Sequence, residues 1–381
     1  MNNKTFLILG GYGNVGLYLA RLLLQETDIQ LVLAGRSSKK AKQAAAQLNS
    51  IFEGDRVAGI RADASDAEDL KKAFGEVDFV LVASSTAKYV KKVVRAALEA
   101  GIDYLDIQYS TKKVPILQSM TGEIEKAGRC FITEAGFHPG LPAVLVRYAS
   151  RYFDCLEVAH VGSVIKINWR ELSLSQSTTD EFMEEMFAFE TLFFKDGKWK
   201  KARMLGMMDY ITMDFGREFG KQYCVPMFFE EMRSIPKMYP SLRETGFFVG
   251  GFNWFVDFLV LPLSMVALRI WPHGMKKPME RLMDWGLAAF SSPPYGVVLK
   301  IEATGEKDDH AREMEISLHH KDGYMFTAIP VVACLLQYLD GSAKKPGLWM
   351  MGHLVDPTRL MKDMERMGIE VRIKEKRGNG R

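Results

Sequence analysis

Gly11, Gly13 and Gly16 stand at G-x-G-x-x-G spacing directly after the apolar run Thr5–Leu9. Glycines in that order, between a strand and a helix, can cradle a phosphate. Gly11 permits the tight turn, Gly13 lets the backbone approach a pyrophosphate, and Gly16 lets the following helix pack closely on the strand. Tyr12 completes the turn, and the helical pattern that follows (Leu19, Ala20, Leu22, Leu23) begins at Asn14 and Val15. The N–H groups of such a helix N-terminus face an anion. A turn that merely packs is the alternative, but a clean strand placed before the glycines favours a dinucleotide site.

The second apolar run, Ile29–Ala34, ends in Gly35-Arg36-Ser37-Ser38-Lys39-Lys40. A site selective for NAD usually carries a carboxylate about 20 residues beyond the glycines, where it binds the ribose 2′-hydroxyl. Arg36 occupies that place here, with Ser37 beside it. A guanidinium pairs bidentately with a 2′-phosphate, and no carboxylate repels one. NADP(H) is therefore the expected cofactor, with NAD(H) second. The alternative is a solvated basic helix start.

Positioning these residues takes a series of strands and helices. Arg56–Arg61 reads as a third strand and leads to Asp63 and Ala64, before a helix over 67–74. Asp63 either contacts the adenine or caps that helix. Val77–Ala83 is a fourth strand ending at Ser84 and Ser85, in the loop that passes the nicotinamide ribose; a helix over 89–100 stops at Gly101. Asp103–Ile107 and Cys130–Ala135 complete six strands alternating with helices, an open parallel sheet. Gln108 and Tyr109 follow the fifth strand, at the carboxyl edge where such sheets bind ligands. Tyr109 is a candidate proton donor, with stacking or packing as the alternative.

Composition sets further bounds. The 381 residues suffice for two domains, and 48% hydrophobic with 25% charged residues is ordinary for a globular chain. A net charge of +3 gives no reason to expect nucleic acid as a partner. The basic tail from Lys374 reads as a disordered end. The four cysteines form no C-x-x-C pair, so neither a disulfide framework nor a metal site is indicated. The N-terminus runs straight into the first strand without a signal-peptide pattern, which makes the cytoplasm the expected compartment.

After the sixth strand the chain reads Gly136-Phe137-His138-Pro139-Gly140. Together with Gly11–Gly16, Ala34-Gly35-Arg36, Ala62-Asp63-Ala64 and Asp103–Asp106, this turn resembles the saccharopine dehydrogenase-like oxidoreductases. Gly347 to Leu360 and Met367 to Val371 are similar to that family's closing helix and strand. The resemblance is good over 1–150, fair over 296–372 and poor between. It implies a Rossmann domain over 1–136 and a substrate and dimerisation domain over 137–381 built on a mostly antiparallel sheet, with 330–372 packing back on the Rossmann domain. It also implies hydride transfer at a C–N bond (saccharopine, carboxynorspermidine) or, in some relatives, at a double bond of a lipid precursor, a small-molecule substrate, and a homodimer. Gly136 would then border the cofactor, and His138 would meet the nicotinamide as a proton donor. Relatives acting on saccharopine or carboxynorspermidine usually carry Asp at that position, so His138 puts an amino-acid substrate in doubt; a structural hydrogen bond in the turn is its other reading.

In the second domain, 156–167, 297–305 and 313–319 read as strands, and Gly323 as a hairpin turn before a strand over 324–328. A Met- and Phe-rich helix is expected over 180–194, opening an apolar, helical insertion over 180–295. Glu230 and Glu231 precede an apparent helix and read as its solvated face or as groups reaching the substrate. The run from Phe247 to Trp271 is strongly apolar, but Asp257 and Pro262 interrupt it. Its charge-free stretch is too short for a span of about 20 residues. It suits a buried or dimer-interface helical pair, peripheral contact with a membrane or an entry to an apolar tunnel, and it favours a bulky or apolar substrate. The residues thus describe an NADP(H)-dependent oxidoreductase acting on a C=N or C=C bond. A non-catalytic NADP(H)-binding sensor or scaffold with a membrane or protein partner is the alternative.

Overall fold

The computed structural model describes residues 4–171, 189–203 and 209–377. The chain forms two units, each discontinuous in sequence: Met1–Val144 with Tyr324–Gly368, and Leu145–Gly323 with Ile369–Arg381.

The first unit is built on seven strands: β1 (Thr5–Leu9), β2 (Gln30–Gly35), β3 (Val57–Arg61), β4 (Phe79–Val82), β5 (Asp103–Asp106), β6 (Cys130–Thr133) and β15 (Gly347–Met350). Their order is β15-β6-β5-β4-β1-β2-β3, and every pairing is parallel. β4, β5 and β6 are buried along their whole length, as strands covered by helices on both faces must be. The helices α1 (Asn14–Glu26), α2 (Ser38–Asn49), α3 (Ala67–Phe74) and α4 (Val90–Ala100) supply the crossovers. Strand order reverses between β1 and β4, the place where an open α/β sheet leaves a crevice at the carboxyl ends of its strands.

The helix Gly323–Leu339 belongs to this unit. Its Tyr338 ring lies 4.8 Å from Phe79, which stacks on Phe6 at 4.5 Å, and its hydroxyl donates to Asp103 at 2.6 Å. The strand expected over 324–328 is therefore the first turn of a helix. A helix buried on nearly all sides has no polar face, so its period is invisible in sequence.

The second unit holds β7 (Cys155–Lys166), β8 (Leu192–Lys195), β9 (Lys198–Lys201), β10 (Ile211–Asp214), β11 (Lys221–Pro226), β12 (Glu244–Gly250), β13 (Gly296–Lys307), β14 (His310–His320) and β16 (Glu370–Arg377). The main path runs β10-β11-β12-β7-β13-β14-β16, with β8 and β9 attached to β12. Among the described residues of this unit only β12 and β7 pair in parallel; the other pairings are antiparallel. The β13–β14 hairpin turns on Asp308 and Asp309, both with left-handed φ (53° and 60°), which matches the twist of its strands. The basic tail is not a loose end as far as Arg377, because it pairs with β14 as β16.

Most of the helix expected over 180–194 lies outside the described residues, and its end is a strand, β8. The apolar run from Phe247 divides. Phe247 and Phe248 are core residues of β12, whereas Val256–Val260, Leu261–Ile270 and Pro272–Ala289 are helical. Glu230 and Glu231 open a short 3-10 turn, where Glu231 is buried and Glu230 pairs with Arg233 at 2.6 Å. Among the described residues, no helix is long and apolar enough to cross a membrane.

Candidate cofactor and active site

The glycine turn joins β1 to α1. Its left-handed residue is Gly10 (φ 93°) rather than Gly11, and a Cβ there would meet the Ala83 carbonyl oxygen at 2.5 Å and Ser84 Cβ at 2.8 Å. The end of β4 therefore lies directly against the turn. A Cβ on Gly16 would sit 2.2 Å from the Gly10 carbonyl oxygen, so α1 approaches the strand as closely as backbone allows. Leu17 N–H is bonded to the Gly13 carbonyl at 3.0 Å. The N–H groups of Asn14, Val15 and Gly16 are those that a helix leaves without an intrahelical acceptor. This cradle fits a pyrophosphate.

At the carboxyl end of β2, Arg36 is exposed and Ser37 caps α2, accepting from Lys40 N–H at 3.3 Å. Tyr12 reaches across from the glycine turn and packs over Gly35, where a Cβ would fall 2.6 Å from its ring. Asp63 does not cap α3; Asp66 does, accepting from Glu68 and Asp69 N–H. Asp63 instead accepts from Ser65 N–H at 2.9 Å and Ser65 Oγ at 2.8 Å. Those bonds, with the charges of Arg36 and Arg61, hold its carboxyl below the usual range. Ala64 beside it is buried.

The ends of β4, β5 and β6 are tied by hydrogen bonds. Gln108 Nε2 donates to the Ser84 carbonyl at 2.5 Å and to Thr86 Oγ1 at 3.0 Å; Ser85 lies half-buried between these two partners in sequence. Beneath this loop is a buried network that the sequence reading did not anticipate. Asp106 Oδ1 accepts from Lys113 Nζ at 2.5 Å and Gln108 N–H at 3.2 Å, while Oδ2 accepts from Tyr104 Oη and Thr133 Oγ1, both at 2.8 Å. Lys113 Nζ also donates to the Gln108 carbonyl. Lys113 and Asp106 are wholly buried. Burial and the Asp106 charge push the Tyr104 hydroxyl well above its ordinary range, which keeps it a donor. Tyr109 follows directly on this anchored segment and is half-buried.

Glu134, at the end of β6, is buried with left-handed φ (54°), and Gly136 and Gly140 follow with φ 153° and 121°. His138 lies between them, its ring against Phe137 at 3.7 Å. The residue keeps some surface, but Nε2 is covered, and burial pushes the imidazole down to about 3. It is neutral near pH 7, with one ring N–H and without the second proton of an imidazolium. The helix Gly323–Leu339 joins the two glycine turns, because Tyr324 Oη accepts from Asn14 Nδ2 at 3.0 Å and Thr327 faces Gly136. Their spacing of three residues on one helix face could have signalled this role, had the segment been read as helical.

Residues 6–129 match the family described as the saccharopine dehydrogenase NADP binding domain. The chain is similar to carboxynorspermidine synthase of Vibrio cholerae, with 25% identity over 94% of both chains. It is also similar to the enzyme of that name from Vibrio alginolyticus, with 22% identity over 96% of both. Among solved structures, the apo saccharopine dehydrogenase (L-Glu forming) of Saccharomyces cerevisiae shares the fold, with a TM-score of 0.72 and 17% identity over 98% of this chain and 100% of that one. The match supports NADP(H) as the preferred nucleotide of this domain.

Proposed function

We propose that this chain, which belongs to the saccharopine dehydrogenase-like family of NAD(P)-binding oxidoreductases, reduces a C=N bond between an amine and a carbonyl compound. The observation that carries the reading is similarity to carboxynorspermidine synthases along nearly the whole of both chains. Asn14, Val15, Gly16, Arg36 and Ser37 would hold NADP(H), which when bound supplies the hydride. In the reduction, hydride adds to carbon, a proton adds to nitrogen, and a C–N single bond remains.

The chain's own residues supply position and the proton. Gln108 and Ser84 fix the β4 and β5 loops, and Asn14 with Tyr324 fixes the helix beside the turn. Because His138 is neutral near pH 7, Tyr109 is the better candidate to deliver the proton, and His138 the better candidate to orient substrate by a hydrogen bond. A C=C bond of an apolar substrate is the second reading, favoured by the exposed apolar helices of the second unit. A homodimer belongs to the proposal on family resemblance.

The test is NADPH consumption by the full chain with pairs of a diamine and an aldehyde, pairs of an amine and a 2-oxo acid, and enoyl thioesters. Turnover with an amine–carbonyl pair is expected. Turnover with enoyl thioesters alone would favour the second reading, and tight NADPH binding without turnover on either class would overturn both. Tyr109→Phe should lower kcat with little change in NADPH affinity.

A further inference from the structure

The helices Leu261–Ile270 and Pro272–Ala289 meet at Trp271 and form a hairpin. Its inner face is settled: Val256, Val260, Met283 and Leu287 are buried together as a small core. The outer face is not. Leu259, Leu263, Val266 and Ile270 follow one another at steps of four, three and four residues, and all are exposed, Ile270 at 78%. That spacing lays an apolar stripe along one side of the helical segment.

Three exposed indoles border the stripe. Trp254 and Trp285 stand at one end, held edge-on by Phe290 at 5.2 Å and by Phe255 at 5.3 Å. Trp271 stands at the other end, 63% exposed. Exposed Arg269, Lys276, Lys277 and Arg281 flank it. Of the nearby acids, Asp257 is turned to the backbone, accepting from Phe252 N–H at 3.0 Å, and Glu280 lies 4.0 Å from Lys276; Asp284 remains exposed.

We infer that this hairpin docks the protein flat on an anionic lipid surface, with the stripe in the acyl boundary, the indoles at headgroup level and the basic side chains on lipid phosphates. Indoles with an apolar body and a polar N–H favour that depth, and lysine or arginine near an anionic leaflet adds attraction. A ten-residue helix is about 15 Å long, half a bilayer core, so it lies on the surface and does not cross. The charge pattern selects lipid over a second copy of the chain, because a two-fold contact would set a mostly basic rim against itself. The inference is independent of the bond reduced. It shifts the membrane contact expected over 247–271 to residues 254–285, since Phe247 and Phe248 are core.

Flotation of the full chain with phosphatidylcholine vesicles, and with vesicles also containing phosphatidylglycerol, tests this. Binding to the anionic vesicles should be at least about tenfold stronger and should weaken with salt. Leu263→Ser with Ile270→Glu should abolish it while leaving NADPH affinity and the far-UV circular dichroism of the chain unchanged, so that loss of binding is not loss of the hairpin's fold. Absence of wild-type binding to either vesicle, or variant binding equal to wild type, would overturn the inference. So would a dimer that the same substitutions dissociate in a chain that ignores vesicles, which would make a second copy the occupant.

Discussion

The Tyr12 hydroxyl accepts a hydrogen bond from Ser37 N–H at 3.0 Å. One side chain of the glycine turn thus braces the β2–α2 turn that carries Arg36, and the two ends of the candidate cofactor site are mechanically one piece. Arg36→Asp should weaken NADPH binding about 10- to 100-fold and favour NADH, as expected for loss of a charge-assisted hydrogen bond. Tyr12→Phe removes only the brace and should weaken NADPH about fivefold. Titration of NADPH and NADH by fluorescence checks both. Unchanged preference in Arg36→Asp would remove the guanidinium from the site.

Gly16→Ala tests the cradle itself. The new methyl would meet the Gly10 carbonyl oxygen at 2.2 Å, a contact between two backbone segments that no rotamer relieves. Loss of measurable NADPH binding is expected. Gly122→Ala, where a Cβ meets nothing within 4 Å, should leave affinity unchanged and serves as the control.

Lys113→Met should destabilise the first unit by about 3–5 kcal/mol in urea unfolding, because Asp106 would stay buried without its cation. Adding Asp106→Asn should restore part of that loss, since a neutral amide tolerates burial better. Additive losses in the double variant would show that the two residues do not act as a pair.

His138 gives a pH dependence of definite sign. Its folded value of about 3 lies below the ordinary 6.5, so between these limits the unfolded chain binds the proton first. Stability from this group is complete above pH 6.5 and falls with pH by up to about 1.4 kcal/mol per unit until pH 3. Unfolding measured at pH 7 and pH 5 should show a smaller difference in His138→Phe than in wild type. An equal difference would mean that the ring titrates normally.

Much of the first unit could be read from residue pattern alone, because each crossover strand is a bounded apolar run and α1 and α4 repeat at helical spacing. Gly16 and Arg36 stand out by type and spacing. The Asp106–Lys113 pair did not, since a buried lysine is spelled like a surface one until its carboxylate partner is placed in space. The first turn of helix Gly323–Leu339, residues 324–328, reads as a strand for the opposite reason: the helix is buried nearly all round and shows no polar face. β15 is four residues long and has no flanking pattern; it is a strand only because β6 offers it an edge.

That last pairing has a consequence during synthesis. β6 ends at Thr133 and its neighbour begins at Gly347, so the ribosome must add more than 200 residues before the sheet can close. At about 5–20 residues per second, the β6 edge waits roughly 10–40 s in the nascent chain. For that interval β6 presents an unpaired strand edge in the nascent chain, the kind of edge that can pair with another chain.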